Sequence, residues 1–253
     1  MSATNIIDNP FAVFVVAVVT QSGAAFIGDR LRRKRQPLKK DEQNDLDTVL
    51  TATLTLLALI IGFSFSMAVS RYDQRKNYEE AEANAIGTEY IRADLLPAED
   101  AAKVRELLKL YVDQRIAFYN RDKTASASAE AARVRDELWS SVARVASAQP
   151  NPVVGLGVSG MNDVFNAQAG TQAAWLNRIP IAAWALMLLI AFFSNLLLGY
   201  RERSSGHLAL VVLPVISSIA FFLIADIDSP SVGVISVVPQ NLILTSEEMK
   251  AHR

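Results

Sequence analysis

Uncharged and charged stretches alternate along this chain in long blocks. Four windows free of charge stand out, at 9–28, 48–70, 179–200 and 208–225. Each is about 18 residues or longer, which as a helix rising 1.5 Å per residue spans roughly 30 Å of hydrocarbon. Buried helices of a large soluble core would need more polar chain to cover them than two such windows on each side of a polar middle leave. The pattern predicts an all-α, polytopic membrane protein with four transmembrane helices and a helical soluble domain between the second and third. The predicted division is a first hairpin at 1–70 (spans about 11–28 and 48–70, basic loop 29–47), an extramembrane domain at 71–178, a second hairpin at 179–228 (spans about 179–200 and 208–225) and a tail at 229–253. Nothing before Phe11 is basic and "GAAFIGD" offers no small-x-small cleavage site, so 11–28 reads as a retained span.

The polar middle keeps helical spacing. Pro97 followed by "AED" ends one helix near Leu96 and starts another. Val104, Leu107, Leu108, Tyr111, Ile116 and Tyr119 fall on one face of that second helix. "DKTASASAE" reads as a polar linker, and a third helix over about 130–148 places Ala131, Val134, Leu138, Val142 and Val145 together. "QPNP" ends it, and a fourth stretch runs from about 153 toward Arg178. In the tail, "VGVISVV" is expected as a short strand or an extended strap.

The second span has no stop signal. In "GFSFSMAVSRYDQR", residues 62–75, the apolar run passes into Arg71, Asp73 and Arg75 without a turn residue. One long helix is therefore expected from about Thr48 to Leu96, roughly 70 Å, running from the second span into the soluble domain. Steps of three and four from Thr51 lead through Thr55, Ala58, Gly62, Ser66, Ser70, Asp73, Asn77, Glu80, Asn84 and Thr88, all small or polar, while Leu56, Leu57, Leu59, Ile60, Ile61, Phe63 and Phe65 take the other faces. Two causes fit the stripe Thr51, Thr55, Gly62, Ser66, Ser70, Asp73 and Asn77. Small residues let helices pack closely in lipid, and hydroxyls and amides line water-filled paths. The pairs Arg75–Glu79 and Lys76–Glu80 read as a solvated face, each contributing a few tenths of a kcal/mol. By parity of crossings, Asp226 and Asp228 share a side with Arg71 and Arg75, and a pairing of Arg71 or Arg75 with Asp226 is expected to staple the second span to the fourth.

A net charge of −1 argues against nucleic acid as a partner. With no cysteine, thiolate chemistry is excluded, and His207 and His252 belong to no ligand-spaced cluster. Hydrolase, zinc-protease and nucleotide-loop motifs are missing, and "GLGVSG" at 155–160 lies in a helical context. The chain thus reads as a non-enzyme without metal or cofactor. Arg30, Arg32, Arg33, Lys34, Arg35, Lys39 and Lys40 crowd one loop, and Arg201 and Arg203 mark another on the same side. The positive-inside bias makes loops 29–47 and 201–207 cytoplasmic and places 71–178 and the tail outside a bacterial-type inner (plasma) membrane. The first loop also fits a lipid- or nucleic-acid-binding patch, although orientation alone accounts for its charges.

The blocks "GFSFSMA", "RYDQR", "EANAIGTEYIRADLLP", "YVDQR" at 111–115, "MND", "RIP" at 178–180 and "DIDSP" from Asp226 resemble the bestrophin-like membrane family, a domain of unsettled function. The resemblance runs from the second span nearly to the tail. It implies a distant link to bestrophins, which are pentameric anion channels with a cytoplasmic soluble region, opposite to the side indicated by the basic loop. No acidic run like their calcium clasp is present, so calcium gating is not implied. Where family members often read Asp-x-Asp-Arg-Pro, this chain has Ser229 before Pro230.

The expected function is a homo-oligomeric ion channel whose second span lines the pore, with lipid, copies of itself and small inorganic ions as partners. The alternative is a non-conducting scaffold or sensor whose soluble helices bind a partner.

Overall fold

The computed structural model describes residues 7, 9–35, 38–120, 125–201, 208–230 and 232–251. His207, His252, Arg203 and the first residues of the "DKTASASAE" segment lie outside them. Among the described residues every regular element is helical. In chain order these are α1 (Pro10–Arg33), α2 (Lys40–Arg92), a 3-10 turn (Ala93–Leu95), α3 (Ala98–Tyr119), α4 (Ala125–Ala148), α5 (Pro152–Leu176), α6 (Ile181–Arg201), α7 (Leu208–Asp228) and α8 (Gln240–Ala251). Four helical stretches are long and apolar enough to cross a membrane, and each overlaps one of the four uncharged windows.

Local chemistry explains where the helices start. Asn9 and Asn151 each precede a proline at the first helical position and accept from the next two free N–H groups, Asn9 Oδ1 from Phe11 and Ala12 and Asn151 Oδ1 from Val153 and Val154. The side-chain acceptor satisfies donors that the helix cannot, and proline gives up an N–H that would be orphaned anyway. α2 begins at Lys40, well before Thr48, so much of the predicted basic loop is helix. Asp41 and Glu42 in its first turn suit the positive helix end, and Glu42 also accepts from the backbone N–H of Lys39 at 2.9 Å. α4 begins at Ala125, inside the segment read as a linker, where alanines favour helix. The tail carries α8, and the "VGVISVV" segment at 232–238 before it runs as bends and irregular chain, without a strand.

The chain divides into two compact units, residues 1–72 with 178–236, and residues 73–177 with 237–253. In the first, α1 packs on α6 and α7, and Val13, Ala17, Leu57, Ala68, Trp184, Met187, Phe221 and Ile224 form its apolar centre. α1 and α6 meet backbone to backbone at two glycines. A Cβ on Gly28 would overlap the carbonyl oxygen of Leu196, and one on Gly199 would overlap that of Ala25. Close approach of this kind is how helices gain van der Waals contact in lipid. Buried beside the crossing, Gln21 of α1 bonds Ser218 of α7 at 3.2 Å and Asn195 of α6 at 3.0 Å, so the span's least apolar residue ties three helices.

In the second unit α3 packs on α4 and α8, and α4 on α5. Val134, Leu138, Val142 and Val145 of α4 are buried, as their spacing predicts. On α3, Val104, Leu107, Leu108, Tyr111 and Tyr119 are buried, but Arg115 rather than Ile116 takes the interior position between them.

The glycine crossing yields a stability prediction. Gly199→Val should destabilise the protein by about 1–3 kcal/mol, the usual cost of overpacking, and lower its thermal midpoint in detergent by several degrees. Gly23→Ala, on the same unit where an added Cβ meets nothing within 4 Å, should lower it not at all.

Candidate functional site on helix α2

α2 holds a 53-residue run without a break and has two unlike faces. Thr51, Thr55, Ala58, Gly62, Ser66, Ser70, Asp73, Asn77, Glu80, Asn84 and Thr88 are all exposed. The small and polar stripe is therefore no packing seam within the chain. Gly62 makes the point, since an added Cβ there meets nothing within 4 Å, in contrast to Gly28 and Gly199. Thr55 donates to the carbonyl oxygen of Thr51 at 2.8 Å, so its hydroxyl hydrogen is satisfied by its own helix and its oxygen remains available outward. Leu59, Phe63 and Phe65 flank the stripe and are also exposed, as a lipid- or protein-facing border would be.

The opposite face is buried. In the first unit it carries Leu57, Ser64 and Ala68, and in the second Arg75, Glu79, Glu82, Ile86, Glu89 and Tyr90. The reading of Arg75 and Glu79 as solvated fails, because both are within 2% of full burial, while Lys76 and Glu80 are exposed. Arg75 Nε donates to the carbonyl oxygen of Ala174 at 3.5 Å. Glu79 accepts from Leu242 N at 2.9 Å and from Asn241 Nδ2 at 2.7 Å, placing an acid at the positive start of α8. Glu82 pairs with Arg115 of α3 through both carboxylate oxygens and accepts from Thr171 Oγ1 of α5 at 2.9 Å. Three helices are thereby held in register by one carboxylate. Tyr111 and Tyr119 lie close by, and burial first, with the Glu82 charge adding to it, raises both phenols above their ordinary range.

Within the first unit, Asp228 at the end of α7 gathers the cations. It is 1% exposed and accepts from Arg71 Nη1 at 3.5 Å, Arg178 Nε at 3.2 Å and the backbone N–H of Ile179 at 3.1 Å. The expected partner, Asp226, instead accepts from Val234 N and Ile235 N, each at 2.8 Å, and holds the chain after α7. Two residues along a helix turn about 200°, so the two acids face opposite ways and one alone can meet Arg71. Arg71 thus meets Asp228 of α7, not the expected Asp226, and Arg178 joins it. The "RIP" segment held that signal, a cation placed directly before the third span. Breaking such a buried charge cluster by removing one partner typically costs about 3–5 kcal/mol. Among the described residues no group of His, Asp or Glu is arranged to hold a metal ion.

These features can be set beside known proteins. The Bestrophin-like domain family matches residues 13–242. Among solved structures, the chain is similar to a bacterial bestrophin homologue from Klebsiella pneumoniae at 15% identity and a TM-score of 0.64, covering 93% of this chain and 97% of that one. A single-substitution variant of that homologue aligns at 14% identity with a TM-score of 0.67, covering 96% and 98%. At such identities the likeness is one of fold. No curated protein matches the sequence. With a family match over most of its length and four apolar helices able to span a bilayer, the chain belongs to the Bestrophin-like domain family of membrane proteins.

Proposed function

We propose that this chain is the subunit of a homo-oligomeric ion channel in which the exposed face of α2 lines the pore. The observation that carries the proposal is the continuous exposure of the stripe from Thr51 to Asn77. A face of hydroxyls at membrane depth is stable where water or another polar surface meets it. One helix cannot enclose water, so the face must be shared among copies around an axis, and a ring closed by rotation is the simplest arrangement that does so. Beyond the span the same face continues through Asp73, Asn77 and Glu80, where charge requires solvent. Family membership supports the reading, since the bacterial bestrophin homologues share the fold. The family does not supply the ion, and the mouth of the stripe mixes Asp73 and Glu80 with Lys76, so selectivity follows from their balance.

The membrane is a bacterial-type plasma membrane, and orientation follows the charges. Arg30, Arg32 and Arg33 in the last turn of α1 face the cytoplasm, which leaves residues beyond Ser70 on the far side. The chain lacks cysteine, so a single introduced thiol reports cleanly. In intact cells Asn77→Cys should react with a membrane-impermeant maleimide added outside; labelling only after lysis would put the second unit in the cytoplasm.

Conductance separates a pore from a scaffold. Purified protein in a planar bilayer should carry current whose reversal potential in a salt gradient gives the ion's sign. Ser66→Leu should remove most of that current while oligomer size is unchanged. A current indifferent to Ser66→Leu, or silence of the native protein across voltage and pH, favours a non-conducting scaffold whose exposed Ile91, Leu110 and Leu176 meet a partner.

A further inference from the structure

α2 buries three carboxylates on one face of the second unit, and they differ in what they meet. Glu79 receives two donors at the start of α8, and Glu82 receives Arg115 and Thr171. Glu89, two turns beyond Glu82 on the same face, is 0% exposed, and neither of its oxygens has a hydrogen-bond partner. What faces it is an opening in α5. Gly157 and Gly160 stand one turn apart there, and a Cβ on Gly160 would overlap Glu89 Oε2 while one on Gly157 would lie 3.8 Å from Oε1. The carboxyl thus occupies the room that two missing side chains leave.

An ionised carboxylate without donors in such a place is costly, whereas the neutral acid is tolerated. Burial above all, opposed by Arg92 on its own helix and reinforced by Asp163 of α5, pushes Glu89 up to about 8. Arg92 and Asp163 also pair with each other at 3.6 Å, so Arg92 is not free to neutralise Glu89 fully. Among the described residues, the charges acting on it are Arg92 and Asp163.

We propose that Glu89 is a proton-binding site of the extramembrane unit, a sensor of alkaline pH that seats its neutral carboxyl on Gly157 and Gly160 and loosens α5 from α2 when it ionises. The proton leaves the carboxyl oxygen for bulk water or hydroxide, and the charge stays behind at the α2–α5 contact. Its effect on stability has a definite sign. The folded state holds the proton at pH values where the unfolded chain has lost it, so the stabilisation is complete below the ordinary glutamate range and is lost as pH rises through about 8.

The test uses the whole protein in detergent or lipid. Infrared difference spectra taken from about pH 6 to about pH 10, on either side of Glu89's expected titration, should lose one protonated-carboxyl band in the native protein. Glu89→Gln should lack that band and should abolish the fall in thermal midpoint over the same interval. Asp163→Asn should shift the band's midpoint to lower pH and Arg92→Gln to higher pH, which keeps the test open if Glu89→Gln fails to fold. A band that persists unchanged in Glu89→Gln overturns the proposal. So does a midpoint in the ordinary carboxylate range, or one that both neighbours leave in place.

Discussion

The unbroken backbone of α2 is the constraint from which the other features follow. A helix without a breaker keeps the period of its side chains, and α2 buries Leu57, Ser64 and Ala68 in the first unit and Arg75, Glu79, Glu82, Ile86 and Glu89 in the second. The face opposite continues in the same way, from Thr51 through Ser66 to Thr88. One helix therefore supplies both a polar exposed stripe and a buried row of acids. At 53 residues it rises roughly 80 Å along its axis, far more than a bilayer's hydrocarbon thickness, so part of that length must serve outside lipid.

The buried acids show how the second unit is held around this helix. Full burial of charge is weak evidence for stability in itself, because desolvation offsets much of the attraction. Its value here is register. Glu82 can satisfy Arg115 and Thr171 together in one alignment of α2, α3 and α5, and Glu79 meets the first turn of α8 in one alignment of that helix. In the first unit Asp228 does comparable work for Arg71, Arg178 and the start of α6. Apolar packing brings these helices together, and the carboxylates select which turn meets which.

The helical class, the four spans, the continuation of α2 and the stripe were legible in the sequence because each rests on period and length, which a single chain displays. Partner choice was not. Arg75 and Glu79 are spaced like a surface pair, and only the arrival of α5 and α8 shows that they are inside. Asp226 and Asp228 are equivalent by crossing parity, and the phase of α7 separates them. α8 was not legible because it is short and Glu79, which accepts from its first turn, lies far away in sequence. Gly157 and Gly160 are legible only as part of a helix, and nothing in their spacing shows that they stand against the Glu89 carboxyl of another helix.

Solvent contact along the span is the most direct measure of what the stripe faces. Spin labels placed singly from Gly62 to Ser70 in the oligomer, reconstituted in lipid, would report accessibility to a water-soluble relaxant and to oxygen. A pore predicts that the water-soluble relaxant reaches Gly62, Ser66 and Ser70 and that oxygen dominates at Phe63 and Phe65. If Gly62 and Ser66 are shielded from the water-soluble relaxant, the face is packed or in lipid, and α2 does not line a water-filled path.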